Sequence, residues 1–132
     1  MAAKKKKKPA KKRSPMKQVR EVALSYPGAT EEFPWGESVI KVKGKVFVFL
    51  GRDEDDDVGF SVKLPHSGDA ALGLPFCTPT GYGLGKSGWV SASFPGGKNV
   101  PLPLLLEWLD ESYRAVAPKK LVATLPPHQR MV

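Results

Sequence analysis

The stretch SVIKVKGKVFVFL, residues 38–50, decides the fold. Ile40 and Val42 alternate with Lys41 and Lys43, the period of a strand with one apolar and one polar face. Gly44 interrupts the run, and Lys45 to Leu50 begins a second one rich in Val and Phe. The segment therefore reads as a hairpin, Ser38 to Lys43 and Lys45 to Leu50, turning at Gly44. After a charged loop from Arg52 to Asp57, Val58, Phe60, Val62 and Leu64 alternate with Gly59, Ser61 and Lys63, the cleanest strand pattern in the chain. Strands joined by short connections predict an antiparallel sheet.

On the N-terminal side, Ser14-Pro15 reads as an N-cap followed by the first helical position, where proline loses no hydrogen bond. Met16, Val19, Val22, Ala23 and Tyr26 recur at helical spacing until Pro27-Gly28 stops the helix. Thr30 to Glu37 reads as a connector containing Phe33-Pro34-Trp35-Gly36. On the C-terminal side, Ser67 to Leu74 suggests a short helix stopped by Pro75, and Thr78 to Gly88 a glycine-rich loop. Trp89 to Phe94 reads as a further strand, ended by Pro95-Gly96-Gly97. A helix is expected from Pro101 to Ala117: Leu102, Leu105, Leu106, Leu109, Tyr113 and Val116 form its stripe, with Glu107, Asp110, Glu111 and Arg114 mostly away from it. Leu121 to Leu125 adds a short packed segment. The expected class is α+β, an antiparallel sheet of about four to six strands with the N- and C-terminal helices on one face.

The charge divides the chain differently. The formal net charge is +8, and Lys4, Lys5, Lys6, Lys7, Lys8, Lys11, Lys12 and Arg13 supply all of it. Eight of the 21 Lys and Arg thus lie in residues 1–13, leaving thirteen to balance the thirteen Asp and Glu of residues 14–132. Residues 1–13 are expected to form a disordered electrostatic arm, 14–125 the domain, and 126–132 a loose tail. The domain is long enough to close a core without staples. Cys77 is the one cysteine, so no intramolecular disulfide is possible and a reducing compartment fits. No apolar run approaches the roughly 20 residues of a membrane span. The lysines are followed by no apolar signal region, and position 2 lacks the glycine of a myristoylation site. A cytoplasmic monomer without membrane attachment is expected.

Motifs for catalysis are incomplete. Gly81 to Ser87 (GYGLGKS) superficially suggests a phosphate loop, but the Walker spacing requires glycine at position 80, which is Thr80. Such a loop must also feed a helix, and a strand-like Trp89-Val90 comes next. Asp53, Asp55 and Asp57 have the first spacings of a calcium loop, yet Val58 and Leu64 stand where Gly and Glu are needed. His66 and His128 have no Cys or carboxylate at zinc-ligand spacing, and Cys77 reads as a core residue. No catalytic set, metal site or cofactor is nominated, and a non-enzymatic protein is expected.

Lysines near aromatics remain. Lys41, Lys43 and Lys45 cluster on the first hairpin, Lys63 lies on the next strand, and Lys86 precedes Trp89. They could track phosphates while a wing enters a groove; equally, lysine is favoured on exposed strands because it blocks edge pairing. Trp35 and Trp89 could stack on bases, though buried packing is the commoner use of such residues.

With these residues placed, the chain resembles the MmcQ/YjbR family of small bacterial proteins, which have a CyaY-like fold. The resemblance rests on Pro34-Trp35-Gly36, Lys41-Val42-x-Gly44-Lys45-x-Phe47, Lys63-Leu64, Lys86-x-x-Trp89-Val90 and Ser112-Tyr113. It spans about residues 16–117 and leaves out the arm. It implies DNA binding through a double-wing arrangement and supplies no catalytic residue or cofactor. The acidic loop 53–57 and the Lys-rich arm depart from the family pattern. The expected function is largely sequence-independent binding of nucleic acid, DNA before RNA, led by the arm and supported by Lys41, Lys43, Lys45 and Lys86. Two alternatives accompany it: a protein-interaction module using the sheet surface or the Asp53–Asp57 loop, which could also hold the protein's own arm, and a small-ligand protein using the Gly81–Gly88 loop.

Overall fold

In the computed structural model the described residues are 15–34, 37–51, 58–81, 83–95 and 99–126. The lysine-rich arm, Ser14, Trp35, Gly36, the 53–57 acids and His128 lie outside them. Helix α1 (Pro15–Ser25) leads into β1 (Ala29–Glu32), β2 (Ser38–Val42), β3 (Lys45–Gly51) and β4 (Val58–Lys63). Helix α2 (Gly68–Leu72), β5 (Cys77–Pro79), β6 (Trp89–Phe94), α3 (Leu102–Val116) and α4 (Lys119–Val122) complete the chain. The six strands form one antiparallel sheet in the order β1-β2-β3-β4-β6-β5.

Two strands differ from the sequence reading. The Thr30–Glu37 connector contains most of β1, and the Thr78–Gly88 loop begins with β5. Both are edge strands, three or four residues long, and their composition hides them. β1 reads Ala-Thr-Glu-Glu, and glutamate is depleted in strands; β5 ends on Pro79, tolerated only where no ladder hydrogen bond is required.

Helices α1 and α3 pack against each other and against β3 and β4 on one face of the sheet. Val19, Ala23, Leu105 and Leu109 meet Ile40, Val42, Val48, Val62 and Leu64 in a single core. Glu111 corrects the expected stripe of α3. It is 6% exposed rather than on the solvent side, and Trp108 and Ser112 are buried as well. The buried set Leu105, Trp108, Leu109, Ser112 and Tyr113 recurs at i, i+3, i+4, i+7 and i+8, the positions of one helix face.

The Ser112-Tyr113 pair locks α3 onto the sheet. The β2–β3 register slips between Ile40 and Lys41, so Phe47 is an extra residue on β3 and both Phe47 and Val48 are buried. Phe47 falls opposite Lys63 in the continuation of the β3–β4 pairing. There the ladder is opened by a side chain: Ser112 Oγ accepts from the Lys63 N–H at 2.9 Å and donates to the Phe47 carbonyl at 2.6 Å. Tyr113 stacks on Tyr26 with ring centroids 4.6 Å apart, meets Phe47 edge-on at 5.1 Å, and donates its hydroxyl to the Pro27 carbonyl.

Candidate nucleic-acid interface

The antiparallel register sorts the lysines by position. β2 ends and β3 begins at the Lys43-Gly44 turn, β4 ends at Lys63, and Lys63 lies opposite Trp89, the first residue of β6. All these positions share one end of the sheet. The turn is tight because both central residues have positive φ, +51° at Lys43 and +79° at Gly44, flanked by the pair Val42 and Lys45. This handedness suits a two-residue hairpin, and glycine adopts it freely whereas lysine is strained there. Lys43 and Lys45 are exposed.

Lys86 reaches the same end by another route. Leu84–Ser87 forms a 3₁₀ turn between Gly83 and Gly88, both with positive φ, and the chain passes directly into β6. With a strand in place of a helix there, the backbone donors of a phosphate loop are not assembled. The turn is anchored by the Leu64 N–H donating to the Gly88 carbonyl at 2.8 Å. The Lys63-Leu64 and Lys86-x-x-Trp89-Val90 segments, 22 or more residues apart in sequence, are therefore adjacent. From β2 to β6 the lysines run along the sheet end across three strand spacings, about 14 Å.

Lys41 does not join them. It points to the open face of the sheet and pairs with Glu32 at 2.9 Å. Lys43, Lys45, Lys63 and Lys86 form no ion pair with another described residue. Trp89 also serves a different purpose: it is 8% exposed, and its ring meets Phe49 edge-to-face at 5.4 Å on the open face. That burial leaves too little ring for a base to stack on. Beside it, Ser61, Ser91 and Thr80 form a line of hydroxyl contacts at 2.7 and 2.9 Å.

The residues flanking the acidic segment are remote from this end. Gly51 pairs with Ser38 and Val58 with Phe94, at the opposite limit of the strands. Six residue steps lead from Lys45 to Gly51 along β3, about 20 Å of extended chain. Helix α1 runs back from the Ala29 end, where Arg20 grips Glu31 through two hydrogen bonds of 2.8 and 2.6 Å. Its first residue, Pro15, and with it the attachment point of the arm, therefore lies away from the Lys43 turn.

A cleft of about 260 Å³ opens beside the lysine row. His66, Asp69 and Lys86 stand at its rim, with Leu64, Trp89 and Val90 below. Its wall is set by Glu111, which the sequence pattern places on the solvent side. Glu111 accepts from the His66 and Ser67 N–H groups at 2.7 and 2.9 Å and from the Ser67 hydroxyl at 2.6 Å. Burial acts to raise its pKa, but these three hydrogen bonds and the nearby His66 outweigh it and hold the carboxyl below the ordinary carboxylate range. The one sequence signal is Trp108, a large apolar residue outside the expected stripe and one turn before Glu111 and Ser112. Cys77 is buried, and burial pushes its thiol up, as suits a core residue. Among the described residues no His, Cys, Asp and Glu cluster could hold a metal ion, and no helix is long and apolar enough to cross a membrane.

A six-stranded antiparallel sheet with terminal helices on one face, and lysines along one end, defines a small α+β domain. The YjbR family model matches residues 24–115, most of the chain, and the protein belongs to that family. No curated protein matches the sequence.

Proposed function

We propose that this protein is a non-enzymatic DNA-binding protein of low sequence specificity, nucleoid-associated in a bacterial cytoplasm. The observation that carries the reading is the alignment of Lys43, Lys45, Lys63 and Lys86 along one end of the sheet, free of ion pairs with described acids. Lys43 supports it as well: the hairpin requires positive φ there, which glycine or asparagine meets with less strain, so a lysine at that position favours use of its side chain. The arm adds eight cations from a separate attachment point. A chain of thirteen residues reaches about 43 Å when extended, enough to track a strand beyond the domain.

Arm and domain together neutralise phosphates and release counterions, so affinity falls steeply with salt. The arm alone accounts for a log K against log salt slope of as much as about −7. The test is a salt titration of duplex DNA binding by the full chain and by a chain lacking residues 2–13. Deletion is expected to flatten the slope and weaken binding by orders of magnitude. Absence of DNA binding by the full chain at about 50 mM salt, where such contacts are strongest, refutes the reading.

A second reading, a small-ligand protein, is favoured by the cleft at His66, Asp69 and Lys86. Stabilisation of the full chain by a nucleotide in a thermal-shift panel, abolished by Lys86→Ala, would favour it; a flat panel retires it.

A further inference from the structure

We infer that α4 is a second phosphate-contacting element, and that Lys119 and Lys120 form one composite surface with Lys43 and Lys45; this rests on the DNA-binding reading above. Sequence gives no reason to join them, since some 75 residues separate the two pairs. The junction is made at Gly28. Its φ is +75°, and a β-carbon built there would lie 3.3 Å from Leu121 Cδ1 and 3.6 Å from Val42 Cγ2. Leu121 of α4 thereby sits against the end of β2, and Val42 is the residue immediately before the Lys43-Gly44 turn.

A four-residue helix has too few hydrogen bonds to stand alone. Here Pro118 ends α3's course, and Leu121, Val122 and Leu125 pack on the core and hold α4 in place. The Arg114 guanidinium, itself paired with Asp110 at 2.7 Å, also donates to the Pro126 carbonyl and ties down the segment after α4. Lys119 and Lys120 precede Leu121 directly, so packing one side of this turn leaves both lysines exposed. Neither forms an ion pair with another described residue.

The chemistry favours nucleic acid over a membrane surface. Interfacial binding needs apolar side chains to insert beside the cations. Among the described residues the large exposed apolar side chains are Phe33, beyond the far end of β1, and Leu72, on α2. Neither belongs to α4 or the hairpin. Cations fixed on two separate backbone turns, without an apolar anchor, suit a polyanion whose charges are themselves held in a regular array.

The test uses the full chain, with Lys43→Gln/Lys45→Gln, Lys119→Gln/Lys120→Gln and a single Lys17→Gln as probes of the hairpin, α4 and the distant α1 terminus. Binding to a duplex of about 25 base pairs is measured from 50 to 200 mM salt. Each lost phosphate contact flattens the slope by about 0.9, so the α4 pair should flatten it by as much as about 1.8, shrinking the wild-type advantage about tenfold across that range. Unchanged melting of the variant by circular dichroism shows that the fold is intact. The inference is overturned if the hairpin pair flattens the slope and the α4 pair does not, or if Lys17→Gln flattens it by as much per lysine as the α4 pair. It is overturned too if the chain binds phosphatidylserine vesicles through these lysines and DNA without them. Failure of the full chain to bind DNA at all defeats the parent reading instead, and is distinguishable because every variant is then alike.

Discussion

Replacing Ser112 with alanine removes one hydroxyl from the centre of the structure, and its cost can be reasoned from the two bonds it makes. The hydroxyl is fully buried and stands between the Lys63 N–H and the Phe47 carbonyl at 2.9 and 2.6 Å. Without it, the Lys63 N–H and the Phe47 carbonyl face each other across the width of an oxygen atom. An unpaired buried polar group costs about 1–3 kcal/mol. Partial closure of the strands recovers some of that for the pair, so Ser112→Ala should cost about 2–4 kcal/mol. Against a typical domain stability of about 5–15 kcal/mol this is a large loss. Urea unfolding is the assay: the midpoint should fall by about 1–2 M at an unchanged slope, and the Lys63 amide should exchange faster. Ser91→Ala, which removes a hydroxyl from the open face, is the matched comparison and should cost less than about 1 kcal/mol. If Ser112→Ala and Ser91→Ala have the same midpoint, the hydroxyl is not bridging the ladder and the reasoning fails.

Glu111→Gln replaces a carboxylate that accepts three hydrogen bonds, and should destabilise the fold at neutral pH by about 1–3 kcal/mol. Because the native carboxyl is held below its ordinary value, its contribution is present above pH 4.5 and is lost as pH falls through the lower native value. The variant should therefore show a shallower loss of stability below pH 4.5 than wild type in acid titrations, and parallel curves would exclude this role. Lys43→Asn relieves backbone strain at φ +51° while removing a cation. It should raise thermal stability by up to about 1 kcal/mol and flatten the salt dependence of DNA binding by about 0.9. A destabilised Lys43→Asn would contradict the strain.

The hairpin and β4 are legible because alternation of apolar and polar residues is a local property, written in Ile40, Val42, Phe60 and Val62. The Lys43-Gly44 turn announces itself through Gly44. β1 and β5 are not legible, because a short edge strand borrows its structure from its neighbour: Glu31 and Glu32 lie in a strand because β2 offers its edge, not because of their own preference. Glu111 escapes a sequence reading for a similar reason. A carboxylate on a helix reads as solvated until tertiary structure brings backbone donors from His66 and Ser67, more than forty residues earlier, into its reach. Among the hairpin lysines, Lys41 and Lys43 are alike in sequence, yet the register gives one to Glu32 and leaves the other on the turn.

Composition and local periodicity suffice for the class of fold, the cationic first thirteen residues and the neutrality of residues 14–132, and short ordered motifs carry the family resemblance. They are silent on how that neutral remainder arranges its charge. Antiparallel pairing decides this, carrying Lys43, Lys45 and Lys63 to one end of the sheet and Gly51 and Val58, which bracket the acidic segment, to the other. Gly28 brings Leu121, the residue after Lys119 and Lys120, against the end of β2. Net charge is a sum over residues and survives any rearrangement of the chain. A charged surface depends on which residues become neighbours, and only folding settles that.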